Sequence, residues 1–391
     1  MTTSRTVAMP ADRTAVREAH RRARGHSRAI GLLLIPVGLL LVVGLGSILS
    51  ASSVLGLREA GDGLFYFKRQ IIWLGSGLAG LVVAAAVPLR WWRKMAFPLF
   101  VGTVLLLVAV LVFGVRSNGA QRWLQVGPIT IQPSEIAKLT TILLLATIVS
   151  RRETSMNRIR DFFWPVAGSV GIVASLVIAQ PDLGTTLLIA AGAFAVLIAS
   201  AAPFPYIIGS ALVGGATALA AAAVSPYRWA RITALFDLQS DPLGSSYQAV
   251  QSLVALGTGG LWGVGLGASR ARWSFLPNAH TDFVFSILGE ETGLAGSLAV
   301  VLLFMLLTVG GMMIALRASD RFGRLLAIGI TTWIATQAIV NIGGVTGILP
   351  ITGVPLPFVS FGGTALVMSM IGVGVLVSVA RDQSDVTVTV R

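Results

Sequence analysis

In the stretch FLPNAHTDFVF (275–285), Asp282 stands at the doorway of a long apolar run, with His280 two residues before it. A charge is costly beside hydrocarbon, so this carboxylate needs a reason. It could start a helix as a cap, move an ion, or take a proton in a reaction. Partial shielding from water would raise its proton affinity toward that of a general base. His280 could tune Asp282 by a hydrogen bond or simply pack at the membrane surface. Glu290 and Glu291, eight and nine residues further on, could line a cavity or favour a helix N-terminus.

More ionisable groups sit beside apolar segments. In NGAQRWLQVGPITIQPSEIAK (118–138), helix breaks before Pro133, and Glu135 and Lys138 then share one face of the helix that opens there. A local ion pair with a first-turn acid explains them as well as chemistry does. In QPDLGTT (180–186), Asp182 fits a turn residue that caps the next helix. What favours function is convergence. Arg122, Glu135, Lys138, Asp182, Asp282, Glu290 and Glu291 all map to one side of the bilayer, with Arg228 and Arg231 nearby. Arg and Lys there suit a phosphate-bearing partner.

The elements that must position these groups are membrane helices. The 391 residues are 55% hydrophobic and 12% charged, where a soluble chain carries about 25% charge. An all-α polytopic membrane protein follows. Ten apolar spans are predicted: 29–50, 71–87, 96–115, 136–149, 162–179, 185–202, 206–224, 293–316, 325–349 and 361–380. The fourth is short, so it should extend over polar residues facing the interior. Residues 283–292 read as a helical entry segment in the interface. The basic tail 1–28 and the basic loops 88–94, 151–160 and 317–324 place both termini in the cytoplasm. The first apolar run reads as a full span with no cleavage pattern. Three segments result: the tail 1–28, a ten-helix domain 29–380, and a C-terminal tail 381–391.

The largest element outside the lipid is the extracytoplasmic loop 225–282, between the seventh and eighth helices. It is too rich in Trp, Leu and Val for disorder, and SSYQAVQSLVAL (245–256) reads as a short helix with a Ser cap. GTGGLWGVGLG (257–267) lacks the preceding strand of a nucleotide-binding loop, so its glycines are expected to serve tight turns at the membrane surface. NIGGVTGILPITGVPLPFVSFGGTAL (341–366) interrupts helix with Pro and Gly. It reads as an outside hairpin or as a wall of a lipid-substrate groove. With no Cys and three His, two of them in the tail, His- and Cys-based metal sites are not expected. The net charge of +13 reflects topology and anionic lipid, not nucleic acid.

GAQRWLQVG…QPSEIAKL, QPDLGTTLL, YQAVQSLVALGTGGLWGVGLG, LPNAHTDFVFSILGEETGL and NIGGVTGILPITGVPLPFVSFGGT together resemble the SEDS family, over residues 30–380. The resemblance implies ten helices and a peptidoglycan glycosyltransferase that polymerises lipid II on the outer membrane face. It implies a class B penicillin-binding protein as transpeptidase partner. The family's essential loop Asp falls on Asp282, and its cavity residues fall on Arg122, Glu135, Lys138 and Asp182. ILSASSV (48–54), FYFKRQ (65–70) and LGASRARWSFLPNAHTDF (266–283) are similar to the division branch, FtsW, which adds divisome proteins as partners and the septum as location. ITGVPLPFVSFGGT (351–364) also resembles the elongation branch, RodA. The chain departs from some FtsW proteins at Thr352 and Ser274.

On this reading Asp282 is the base for the acceptor sugar's 4-hydroxyl. Arg122, Lys138 and a divalent cation (Mg or Mn) are candidates to offset the diphosphate charge. Two other classes remain open: a lipid II flippase or ion-coupled carrier, and a scaffold that only recruits the partner. A carrier would want its charges near the midplane, whereas these map to one face.

Overall fold

The computed structural model describes residues 13–117, 120–127, 129–152, 163–200, 202–236, 246–273 and 280–388. Three long helices come first: α1 (Arg13–Ala60), α2 (Phe65–Ala86) and α3 (Leu89–Phe113). A small antiparallel sheet follows, β1 (Val115–Ser117), β2 (Ala120–Val126) and β3 (Ile129–Ile131), in the order β1-β2-β3. Its register pairs Arg116 with Gln121 and Leu124 with Ile131. Then come α4 (Pro133–Arg152), a π-helical turn (Phe163–Ala167) leading into α5 (Gly168–Ala179), α6 (Leu183–Ile198), α7 (Phe204–Ala223), α8 (Pro226–Phe236) and α9 (Tyr247–Gly259). A 3-10 turn (Ala271–Trp273) precedes α10 (Val284–Arg317), α11 (Arg321–Val345) and α12 (Gly363–Val388).

Among the described residues eight helices are long and apolar enough to cross a bilayer, and two shorter apolar helices span Pro165–Ala179 and Leu183–Ile198. The peripheral helices show apolar side chains outward, as lipid-facing helices do: Ile35, Val82, Phe97 and Leu212 are all exposed. The centre is made by α4, α6 and α11, which pack on one another. α4 is buried on almost every face. Pro133 opens it, using a position where no N–H partner is needed. As the sequence suggests, this helix extends past its apolar run and carries Glu135 and Lys138 into the interior.

α10 is broken at Gly293, whose backbone (φ 69°, ψ −165°) leaves the helical region. A side chain is strained at that φ, so the break needs glycine. The groups freed at the break bond to the glycine-rich loop after α9. Val264 and Gly265 donate to the carbonyls of Glu290 (3.0 Å) and Glu291 (3.1 Å), and Leu294 and Ala295 donate to those of Gly260 (2.9 Å) and Leu261 (3.2 Å). This satisfies backbone that would otherwise be orphaned beside lipid. The segment before the break is helical, as the sequence suggested, and it is covered by protein. Residues 283–291 are buried against the rest of the protein: α10 packs on α1 and α9, and the two acids at the end of the segment, Glu290 and Glu291, are held by hydrogen bonds.

Candidate functional site

Asp282 lies just before α10 and is half-buried. It does not act as the cap: Phe283 occupies that position, with no side-chain cap bond. Instead Asp282 lines a crevice with Asn341 of α11 and the irregular segment Ile351–Val354. Asn341 Nδ2 donates to the carbonyls of Asp282 and Val354, both at 2.8 Å. One turn earlier on α11, Gln337 Nε2 donates to the Pro355 carbonyl (2.9 Å). The Pro- and Gly-rich segment is therefore a wall held on α11, rather than a loose hairpin. Thr352 is in that wall; Ser274 lies outside the described residues.

Desolvation raises the pKa of Asp282 to about 6, against the opposing fields of Arg231 and Arg122 and a hydrogen bond from Thr281; Asp182 adds slightly to the rise. Arg231, on α8, donates to the Ile351 carbonyl (3.2 Å) in the crevice wall and to Gln248 of α9 (3.4 Å). The side chain of Arg228 lies outside the described residues. Asp282 thus combines a proton affinity near neutrality with two cations, a pattern that marks functional carboxylates more often than structural ones.

Arg122 projects from β2 to the turn between α5 and α6. Its guanidinium donates to the Gln180 (3.3 Å) and Pro181 carbonyls and lies 3.9 Å from Asp182. Asp182 caps α6, accepting from the Thr185 N–H (3.2 Å), and also accepts from Gln132 Nε2 (3.1 Å) and the Ser134 hydroxyl (3.4 Å). The expected cap is present, and it also ties the sheet side of the site to α4.

Glu135 and Lys138 form an ion pair at 2.6 Å, and Lys138 is 0% exposed. The ammonium also meets Gln337 Oε1 (2.8 Å) and sits 5.1 Å from the Trp333 ring centre. Trp333 Nε1 donates to the same Gln337 oxygen (2.9 Å). A buried charge needs this many partners to persist. The pair therefore reaches the Asp282 wall through Gln337 and Pro355.

His280 packs its ring against Tyr66 of α2 (4.9 Å) and Phe361 (5.7 Å), and its carbonyl accepts from the Phe361 N–H (3.0 Å). Burial lowers its pKa. It clamps the chain just before Asp282. Glu290 and Glu291 lie roughly 12 Å further along the helix by its rise, and both are buried and engaged there. Glu290 accepts from the Arg270 and Ala271 N–H groups (3.1 and 3.2 Å), the Ser269 hydroxyl and Thr258 (3.4 Å); Glu291 accepts from Ser50 of α1. The structure thus brings Asp282, His280, Arg122 and Asp182 to one face. It sets Glu135 and Lys138 behind the wall and uses Glu290 and Glu291 to pin a loop and a helix.

Sequence inspection missed Gln337, Asn341 and Tyr66. Gln337 and Asn341 are one helical turn apart in an otherwise apolar span, and that spacing could have found them. Among the described residues no three His, Cys, Asp or Glu side chains converge as a metal site.

The chain matches the family model for cell cycle proteins FtsW, RodA and SpoVE over residues 31–385. It is 37% identical to a probable peptidoglycan glycosyltransferase FtsW of Geobacter sp., covering 92% of this chain and 98% of that one. It is 39% identical to the stage V sporulation protein E of Bacillus subtilis, covering 90% and 96%. Among solved structures it is similar to a chain of a peptidoglycan synthase complex described as coordinating polymerization and crosslinking (TM-score 0.74, 29% identity, 90% and 97% covered). It also matches the rod shape determining protein RodA of Thermus thermophilus (TM-score 0.68, 29% identity, 90% and 96% covered). With the motifs, the broken tenth helix and the crevice at Asp282 in place, the match over nearly the whole chain leads to one conclusion: this protein belongs to the FtsW/RodA/SpoVE family.

Proposed function

We propose that the protein is a peptidoglycan glycosyltransferase that polymerises lipid II, serving septal wall synthesis. The observation that carries this is Asp282: a half-buried carboxylate titrating near neutrality, facing Arg231 and Arg122, in a crevice walled by irregular backbone. The FtsW naming of its relatives supports both the activity and the division role. The eight long helices with the two shorter ones support ten crossings, and the basic loops support cytoplasmic termini with loop 225–282 outside. The protein then sits in the bacterial cytoplasmic membrane, enriched at the septum. A class B penicillin-binding protein and other divisome membrane proteins are its partners, a reading supported by the peptidoglycan synthase complex it resembles.

In this reaction Asp282 takes the proton from the acceptor's 4-hydroxyl as that oxygen attacks the donor's anomeric carbon. The bond from that carbon to the diphosphate oxygen breaks, and undecaprenyl diphosphate leaves with the electron pair. Its charge requires cations more than a strong acid, and Arg231 and Arg122 are placed to supply them. Lys138 is already paired with Glu135, so its effect is on the wall and not on the leaving group. A Mg or Mn ion would add positive charge at the diphosphate. The described residues offer no three-ligand cage for one, so such an ion would take most of its ligands from substrate and water.

The test is glycan formation from labelled lipid II by the purified protein with its transpeptidase partner, wild type against Asp282→Asn. Polymer from the wild type and none from a folded mutant is expected. Polymer from both sinks the base assignment. No polymer from either, with lipid II scrambling in liposomes by the wild type, would make the protein a flippase.

A further inference from the structure

We infer that the glycine-rich loop between α9 and α10 is a lipid anchor: Leu261, Trp262 and Leu266 insert into the leaflet on the Asp282 side. The loop's height is fixed by its four backbone bonds to the Gly293 break. Glu290 pins its far end through Ser269, Arg270 and Ala271. Past the break α10 runs 24 residues, Leu294 to Arg317, roughly 36 Å by helical rise, against about 30 Å of hydrocarbon. Counting back roughly 20 residues from the basic end at Arg317 puts the hydrocarbon boundary about one turn past Gly293, so the loop attached at the break sits at headgroup level.

Past the break, α10 exposes Leu294, Leu298, Leu302, Met305 and Val309 at spacings of four and three residues, one lipid-facing stripe. The loop continues that stripe. The Leu261 carbonyl accepts from Ala295, beside Leu294, and Leu261 is itself exposed. Trp262 is 82% and Leu266 83% exposed. Burying side chains of this size would stabilise a soluble fold, so a rigid loop that presents them outward needs an apolar neighbour. Tryptophan favours the headgroup level, and Arg270 and Arg272 on the same loop suit lipid phosphates. Because the same loop leads into the segment ending at Asp282, anchoring it would set the height of the site at the membrane surface.

The chain has no Cys, so single nitroxide labels can be placed cleanly. Trp262→Cys and Leu266→Cys are labelled in phosphatidylethanolamine/phosphatidylglycerol vesicles, with Leu302→Cys as the hydrocarbon reference and Ala60→Cys as the aqueous one. Collision with oxygen relative to a water-soluble nickel chelate is measured. Ratios at 262 and 266 on the Leu302 side of the midpoint between the references are expected. Ratios matching position 60 overturn the anchor. So do labels that read water in vesicles and become shielded only when the transpeptidase partner is added, which would assign this face to a protein. The readout needs no turnover, so it stands whether or not the polymerase reading does.

Discussion

Asn341 holds the main chain of Asp282 against the opposite wall of its crevice: one side-chain amide donates to the carbonyls of Asp282 and Val354, each at 2.8 Å. Its Oδ1 is buried and finds no partner among the described residues. A buried acceptor without a donor is costly, so Asn341 is held here for the two bonds its amide donates.

Asn341→Ala should therefore damage turnover more than folding. Two carbonyls lose their donor, a stability loss of about 1–3 kcal/mol. The catalytic carboxylate loses its fixed position, and misplacement by about 1 Å can cost on the order of 100-fold in rate. Single-turnover polymerisation should fall by roughly 10- to 100-fold with a folded protein. A rate within twofold of wild type would show that the other contacts position Asp282 without Asn341.

The pH dependence follows from Asp282. Its pKa of about 6 lies above the ordinary carboxyl value, so below pH 6 it is protonated and cannot act as a base. Polymerisation should fall as pH drops through 6. The stability sign is opposite. Between the unfolded value near 4 and about 6, the folded state binds more protons than the unfolded one, so this residue lowers stability as pH rises through that window. Asp282→Asn should therefore be inactive yet melt higher than wild type at pH 7.5, with the difference closing near pH 4. Arg231→Gln removes a charge that favours the carboxylate, so the acid limb should move to higher pH and activity should recover partly in alkali. An unmoved limb would show that Arg231 only supports the wall.

Much of this was legible in the sequence, for local reasons. Glu135 and Lys138 are three residues apart, and helix geometry alone brings them together. Asp182 precedes an apolar run, and it caps the helix there as turn chemistry expects. The glycines at 260, 263, 265 and 267 do take positive φ in a turn-rich loop. What was not legible depends on distant partners. Ser246 precedes a helix as expected but makes no side-chain cap bond. Glu290 looked like a cavity or helix-terminus acid, but its partners lie about 20 to 32 residues away and meet it because α10 breaks at Gly293. Gln337 and Asn341 were missed because their spacing marks a shared helix face but not what that face meets.

The Glu135–Lys138 pair should behave as a unit. Removing one partner strands a buried charge, at a cost of about 3–5 kcal/mol, whereas removing both leaves little to satisfy. Lys138→Met and Glu135→Gln should each lower the melting temperature in detergent strongly. The double variant should recover much of the loss, giving a coupling of about 1–3 kcal/mol in a double-mutant cycle. Additive losses would show that Gln337 and Trp333 support the ammonium without Glu135.

Gly263 tests how the glycine-rich loop is attached. Its φ is +81°, and a Cβ there would lie 2.1 Å from the Glu291 carbonyl oxygen, so the chain cannot keep its place with any side chain. Gly263→Ala should detach the loop from the Gly293 break and free the carbonyls of Glu290 and Glu291. Glu290→Gln should act on the other end of the same loop: the Arg270 and Ala271 N–H groups donate to different carboxylate oxygens, so the NH2 of an amide would face one of the two donors. Both variants should raise hydrogen exchange at residues 263–271 while α4 and α11 keep wild-type protection. Turnover should fall with them, because the loop leads into the segment that ends at Asp282. Unchanged exchange in Gly263→Ala would mean that the loop tolerates a shift of its backbone, and that the break at Gly293 is satisfied by other groups.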